Sequence, residues 1–442
     1  MVAKLVNKTF FIALVFFVFC AFSHANNSNA PKIQQWHTSN GAKVLFVPSS
    51  ELPMVDLRVV FDGGSAKDGE QAGLALMTNS MLAEGTGKLN TTDIAKHFEN
   101  LGARFGTSSH RDMAIITLRS LSDKELLQPA VDMIARIIHE PSFPNESFER
   151  ERKRLLIGIQ SQKESISDVA DKAFYTALYN KHPYAQPTSG TEDSVTAITL
   201  SDLREFHKEY YVAKNALIAI MGDLSNDQAK QLAEDLVGKL ESGAAAPIVP
   251  KPDDIEKAQT VRINHPSQQT HILMGQPALS RTDPDFFPLY LGNHVLGGSG
   301  LVSRLSEEIR EKRGLSYSAY SYFSPMRANG PYILGLQTKN DQADEAVEIL
   351  QKTLKDFIQN GPNDKELKAA KQNITGSFPL RLASNSSIVQ YLSLIGFYDL
   401  PLDYLDTFNS KIEAVSKQDI IDAYQRRIAA NTMVTVIVGG EQ

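Results

Sequence analysis

Two side chains with chemistry to offer stand seven residues apart, Arg310 and Tyr317, in the stretch 297–317, GGSGLVSRLSEEIREKRGLSY. A fixed phenol can donate to an oxygen that gains negative charge, and a guanidinium can hold a carbonyl through several donors at once. A spacing of seven is two helical turns, which puts both groups on one face of a continuous helix. Gly314 argues against continuity, because glycine sits naturally just past a helix C-terminus. The stretch therefore predicts a helix over 302–312, a turn, and a strand from about 315. The guanidinium then ends a helix and the phenol starts a strand close by.

The same stretch resembles the C-terminal-half signature of the M16 zinc peptidases, the family of pitrilysin, insulinase and the mitochondrial processing peptidase. The resemblance is long and ungapped. It implies that Arg310 and Tyr317 contact a peptide substrate across a cavity from the zinc. It also implies that Gly297, Gly298 and Ser299 keep the cavity wall close to an extended peptide. Such a glycine stretch otherwise suggests a phosphate loop, but the Gly-Lys-Ser/Thr ending is missing.

The family's first half carries His-x-x-Glu-His on a helix, with a distal Glu. The two His bind zinc on one face and the Glu activates water. Residues 73–86, GLALMTNSMLAEGT, match the frame of that segment without its chemistry. Leu76 and Ser80 stand at the histidine positions and Asn79 at the glutamate position. Gly158, or Ile157 beside it, stands at the distal glutamate. Leucine has no lone pair, neutral serine is a poor zinc ligand, and an amide is no general base at neutral pH. The chain is expected to bind no zinc, and this helix reads as core packing. His265 and His271 have a permissible ligand spacing, but no third ligand is near in sequence, and a turn entering a strand explains them. His182 and His294 read as structural or unassigned.

The rest of the chain must position these groups. Its 442 residues suit at least two domains, with 42% hydrophobic and 22% charged residues, as in ordinary globular proteins. A formal charge of -6 gives no basic patch for nucleic acid. Residues 1–25 read as a signal peptide, with Lys4 and Lys8 before an apolar run and small residues at the end. An uncleaved anchor is the alternative, although the run is shorter than the ~20 residues of a membrane span. The only cysteine, Cys20, lies in this segment. The mature chain would then be cysteine-free, with no disulfide and no thiol nucleophile, as suits a bacterial periplasm. No Gly-x-Ser-x-Gly occurs either.

After the polar stretch 26–33, alternation predicts a hairpin over 36–47 about Gly41 and a strand over 55–61. Helices follow over 74–82, 91–101, 123–138 (with Ser122 as N-cap), 148–163, 169–178 and 200–211. Strands are expected over 113–118 and 216–221. The proline-rich segment 243–258 reads as a linker between domains at 26–242 and 259–442. The second half repeats the first: Ala197, Asp202 and Gly222 recur as Ala414, Asp419 and Gly439 at one offset of 217. Gly102-Ala103-Arg104-Phe105 corresponds to Gly314-Leu315-Ser316-Tyr317, and each is followed by a strand and a long helix. The halves read as α+β, and the resemblance implies two homologous α+β domains arranged as a clamshell.

Two functions stand open. In one, the chain is the non-zinc subunit of a periplasmic M16 endopeptidase. It would supply Arg310 and Tyr317 in trans to a zinc-bearing homologous partner, as a heterodimer cleaving unstructured peptides. In the other, it is a catalytically inactive peptide-binding or scaffold protein.

Overall fold

The structure is a computed structural model that describes residues 31–440. The segment expected to direct export and most of the polar stretch after it lie outside the described residues. The first lobe opens with β1 (Gln34–His37) and β2 (Lys43–Pro48), the hairpin expected about Gly41. Gly41 has a φ of 102°, where a side chain would strain the turn. Then come β3 (Met54–Phe61), α1 (Leu74–Met81), a small ribbon of β4 (Gly85–Thr86) and β5 (Leu89–Asn90), and α2 (Thr91–Asn100). The chain continues through β6 (Arg104–Ser109), β7 (Ala114–Leu121), α3 (Lys124–His139), α4 (Asn145–Glu164) and α5 (Ile166–Tyr179). It closes the lobe with α6 (Glu192–Ala197), α7 (Leu200–Tyr210), β8 (Ala216–Gly222) and α8 (Asn226–Val237). The N-cap of α3 is Asp123, which accepts from the Glu125 amide at 2.8 Å, and not Ser122. The Ser122 hydroxyl is turned to Asp223 instead.

Residues 243–258 carry no regular element. The second lobe contains β9 (Gln259–Ile263), β10 (Ser267–Leu279), α9 (Phe286–Asn293), β11 (Ala319–Phe323), β12 (Gly330–Lys339) and α10 (Ala343–Asn360). Four further helices follow, α11 (Asp364–Arg381), α12 (Asn385–Phe397), α13 (Tyr404–Ala414) and α14 (Lys417–Arg427), and then β13 (Val434–Gly440). Among the described residues no helix is long and apolar enough to cross a membrane.

The duplication is visible strand by strand. The first sheet runs β1-β2-β8-β3-β7-β6 and the second runs β11-β12-β10-β13-β9. Apart from β1, the two orders coincide: one parallel pair (β2 with β8, β9 with β13) joined to three antiparallel pairings. The offset of 217 carries physical roles with it. Asp202 closes a capping box with Thr199, and Asp419 closes one with Ser416. Gly222, the last residue of β8, and Gly439, next to last in β13, have φ of 149° and 156°. A Cβ would lie 2.2 Å from the Met54 carbonyl oxygen at the first and 2.5 Å from the Thr270 hydroxyl at the second.

Each sheet is covered on one face by its own lobe and on the other by a helix lent from the opposite lobe. From α5, Ala170, Phe174 and Leu178 pack on Leu273, Ile333, Val434 and Val436 of the second sheet. From α12, Ile388, Leu392 and Ile395 pack on Leu45, Val60, Ile115 and Leu217 of the first. Contacts are close: a Cβ at Gly275 would sit 2.9 Å from the Phe174 ring, and one at Gly396 would sit 2.5 Å from Leu217.

Asp112 lies where the two lobes meet and is 3% exposed. Its carboxylate accepts from the Tyr184 hydroxyl at 2.6 Å, the Tyr398 hydroxyl at 2.9 Å and the Arg327 amide at 2.8 Å. Tyr184 comes from the first lobe, and Tyr398 and Arg327 from the second. Asp112→Ala strands three buried donors, so we expect a loss of about 3 kcal/mol or more in urea unfolding. A loss under about 1 kcal/mol would show that the carboxylate does not tie the lobes.

Candidate functional site

Helix α1 carries the positions where the sequence frame expects metal ligands. Its N-terminus is held by Asp68, whose carboxylate accepts from the Gly73 amide at 2.8 Å and the Ala75 amide at 2.7 Å. Burial pushes the Asp68 carboxyl up to about 7. Along the helix, Leu76 and Ser80 are half-buried and Asn79 is 1% exposed. The Asn79 amide is fully engaged. Its nitrogen donates to the Ser108 carbonyl at 2.8 Å and the Ile115 carbonyl at 3.4 Å, and its oxygen accepts from the Tyr211 hydroxyl at 3.1 Å. It therefore pins α1 to β6, β7 and the end of α7. On α4, Gly158 faces open space and Ile157 is 71% exposed. These four side chains do not fit a zinc ion: one amide is spent on backbone carbonyls and the other positions offer a hydroxyl, an alkyl group and a hydrogen.

Tyr211 stacks on His207, ring centroids 4.9 Å apart, and His207 Nε2 lies 2.8 Å from the Ile138 carbonyl at the end of α3. Burial lowers the His207 pKa to about 4.

The second stretch departs from its expected outline. The continuous helix over 302–312 is replaced by a 3-10 turn at Gly300–Val302 and a π-helical segment at Ser306–Glu311. Ser303 divides them: its carbonyl and hydroxyl accept the amides of Glu307 and Ser306. Gly314, at φ 64°, ends the segment, and its amide returns to the Arg310 carbonyl at 2.9 Å. The strand then starts at Ala319 and not near 315. Residues 315–318 are kept as a loop by the Thr338 hydroxyl on the Leu315 carbonyl and by the Ser316 hydroxyl, which accepts the Ser318 amide. Tyr317 thus stands on a fixed loop, 88% exposed. Arg310 lies in the last turn of the π-helical segment, with its Nε 3.6 Å from Glu311. Glu307 and Glu308 are taken by Lys312 and Arg313.

Gly297, Gly298 and Ser299 line a cleft of about 1090 Å³, together with Asn293, Tyr320 and Tyr322. Arg310 and Tyr317 are not in its lining. Gly297 owes its identity to β11, since a Cβ there would lie 2.4 Å from the Ser321 amide nitrogen. Asn293 clamps the same strand: its amide donates to the Ser321 carbonyl at 2.9 Å and accepts the Ser321 hydroxyl at 2.6 Å. No motif pointed to Asn293; its only signal is an amide in an apolar helix just before the glycines.

The histidines have local roles. His265 lies in the turn between β9 and β10, and His271 is within β10, facing Gln337 at 2.9 Å. His182 caps a short turn and reaches the Pro250 carbonyl at 2.8 Å. His294 lines the cleft.

A family model described as "Insulinase (Peptidase family M16)" matches residues 43–192, and one described as "Peptidase M16 inactive domain" matches 197–374. A crystal structure of a peptidase M16 inactive domain from Pseudomonas fluorescens superposes with a TM-score of 0.90 at 39% identity, covering 93% of this chain and 98% of that one. A Helicobacter pylori protein named "Non-peptidase homolog YmxG" is 27% identical over 91% of this chain and 93% of its own. A Bacillus subtilis protein named "Uncharacterized zinc protease YmxG" is 25% identical over 80% and 86%.

Two outcomes follow. Asn79→Ala is expected to destabilise the chain by about 2 kcal/mol, because buried carbonyls and a phenol lose their partner; urea midpoints measure this. His207 is neutral when folded and binds a proton more readily when unfolded. Its contribution is therefore complete above pH 6.5 and fades as pH falls towards 4, by about 2–3 kcal/mol. The wild-type advantage over His207→Gln should shrink over that range in pH-resolved urea unfolding.

Proposed function

The chain belongs to the M16 peptidase family, and from that premise we propose that it is the non-zinc-binding member of a two-chain peptidase. In this reading an exported, periplasmic zinc-bearing homologue is the partner. The partner holds the metal and the attacking water, and this chain supplies Arg310 and Tyr317 in trans to an extended, unstructured peptide. The observation that carries the reading is a contrast between two tyrosines. Tyr211 is committed, deep in the core, to the amide that stands at the glutamate position of the metal motif. Tyr317 is presented to solvent from a loop whose backbone is fixed.

Arg310 would hold a substrate carbonyl, and the Tyr317 phenol would donate to the oxygen that becomes negative on attack. The glycine-walled cleft would take the flanking peptide. A second reading, a catalytically inactive peptide-binding protein, draws support from the printed names of the relatives, "inactive domain" and "Non-peptidase homolog".

Reconstitution separates the two. The chain alone should not cleave an unstructured peptide. Mixed with a homologue that carries an intact His-x-x-Glu-His, it should raise chelator-sensitive cleavage. Arg310→Ala and Tyr317→Phe should each lower that gain about 100-fold in kcat/KM. A gain that ignores both substitutions, or no gain at all, favours the inactive reading. Chelator-sensitive cleavage by the chain alone overturns the proposal.

A further inference from the structure

A smaller cavity of about 430 Å³ adjoins the glycine-walled cleft. Arg281, Phe286, Tyr290 and Arg381 line both spaces and mark the neck where the two adjoin. The inner space is walled by rings, Tyr391, Tyr404 and Phe408 among them. It contains two guanidinium groups and no carboxylate among its lining residues.

Neither arginine has an ion-pair partner among the described residues. Arg381 is exposed; it donates to the Tyr290 hydroxyl at 3.0 Å and also bonds Tyr391, so its charge faces phenols and solvent. The Arg281 side chain is held by rings: its guanidinium carbon is 5.7 Å from the centroid of Tyr398 and 6.0 Å from that of Phe286. Its Nε is buried without a hydrogen-bond acceptor. The carboxylates nearest in sequence are already used. Asp285 is held by Arg426 at 2.6 Å and Arg427 at 2.7 Å, and Asp283 by Arg427 at 2.9 Å. The two acids on the cleft wall are used as well, Glu366 by Arg304 at 2.7 Å and Glu307 by Lys312 at 3.0 Å.

A buried donor left without an acceptor is costly, and the planar guanidinium fork matches a carboxylate. The buried Nε of Arg281 and the solvent-facing fork of Arg381, both without a carboxylate partner, stand together at the neck of a ring-lined space and suit one chemistry, a carboxylate carried on an apolar body. We propose that Arg281 and Arg381 bind a carboxylate of a peptide lying in the cleft, either an acidic side chain or the chain terminus. The rings cover the apolar residue beside it. The site is separate from Arg310 and Tyr317 and sets which peptides are held. It rests on the reading of the cleft as a peptide groove.

The test is fluorescence anisotropy of the purified chain with three labelled, unstructured peptides of one apolar sequence. The first has a single glutamate and an amidated C-terminus. The second has glutamine in its place and the same amide. The third is the glutamine peptide with a free C-terminal carboxylate. The first or the third should bind about tenfold tighter than the second, and which one does so identifies the source of the carboxylate. Arg281→Gln and Arg381→Gln should each erase that advantage and keep the weaker binding of the neutral peptide, with urea midpoints confirming folded variants. Lys368→Gln, a charge removed from α11 outside the neck, should leave the advantage in place. Equal binding of all three peptides by the wild-type chain overturns the site and leaves the groove standing. So does an advantage that survives both arginine substitutions. No binding of any peptide overturns the site and the groove together.

Discussion

Neither sheet of this protein can bury both of its faces without a helix from the other lobe. Helix α5 leaves the first lobe to cover the second sheet, and α12 returns the favour on the first. A fully buried Phe or Leu contributes about 1.5–3 kcal/mol, so Phe174 and Leu392 with their neighbours make separation of the lobes strongly unfavourable. Asp112 adds direction to this non-directional packing, since its oxygens are reached from both lobes at fixed geometry. The two lobes therefore behave as one body.

On that body the two halves of the family's chemistry have had different fates. The helix that would carry the metal has been absorbed into the core: Met77 and Met81 pack beneath it, and Asn79 satisfies carbonyls that a carboxylate would repel. The equivalent region of the second lobe remains open to solvent. There, the glycine wall is tightened against β11 by Gly297 and Asn293, and it lines a cleft of about 1090 Å³. Loss of the metal positions and retention of the open wall are compatible because they sit on different sheets.

Much of the fold was legible from short-range signals. Thr199 with Asp202 and Ser416 with Asp419, each pair three residues apart, mark helix starts at Leu200 and Lys417, and their common offset announces the duplication. The hairpin about Gly41 needed only alternation and one glycine. The misreadings come from side-chain bonds that the apolar pattern does not record. The loop at 315–318 is kept out of the strand by Thr338, and nothing in the local pattern forecasts that hydroxyl. The division at Ser303 and the choice of Asp123 over Ser122 turn on single side-chain bonds. The exchange of α5 and α12 was not legible, because an apolar helix face does not say which sheet it will meet. The absence of metal chemistry on α1 could be read residue by residue, while the role that Asn79 took on could not, since Tyr211 lies 132 positions away.

The account turns on the helix at the family's metal positions being part of the core and holding no zinc. Calorimetric titration of zinc into the purified chain, dialysed against chelator, tests it most directly. The account predicts heats of dilution only, with no saturable site. A single tight site at one zinc per chain, abolished by Ser80→Ala, would contradict it.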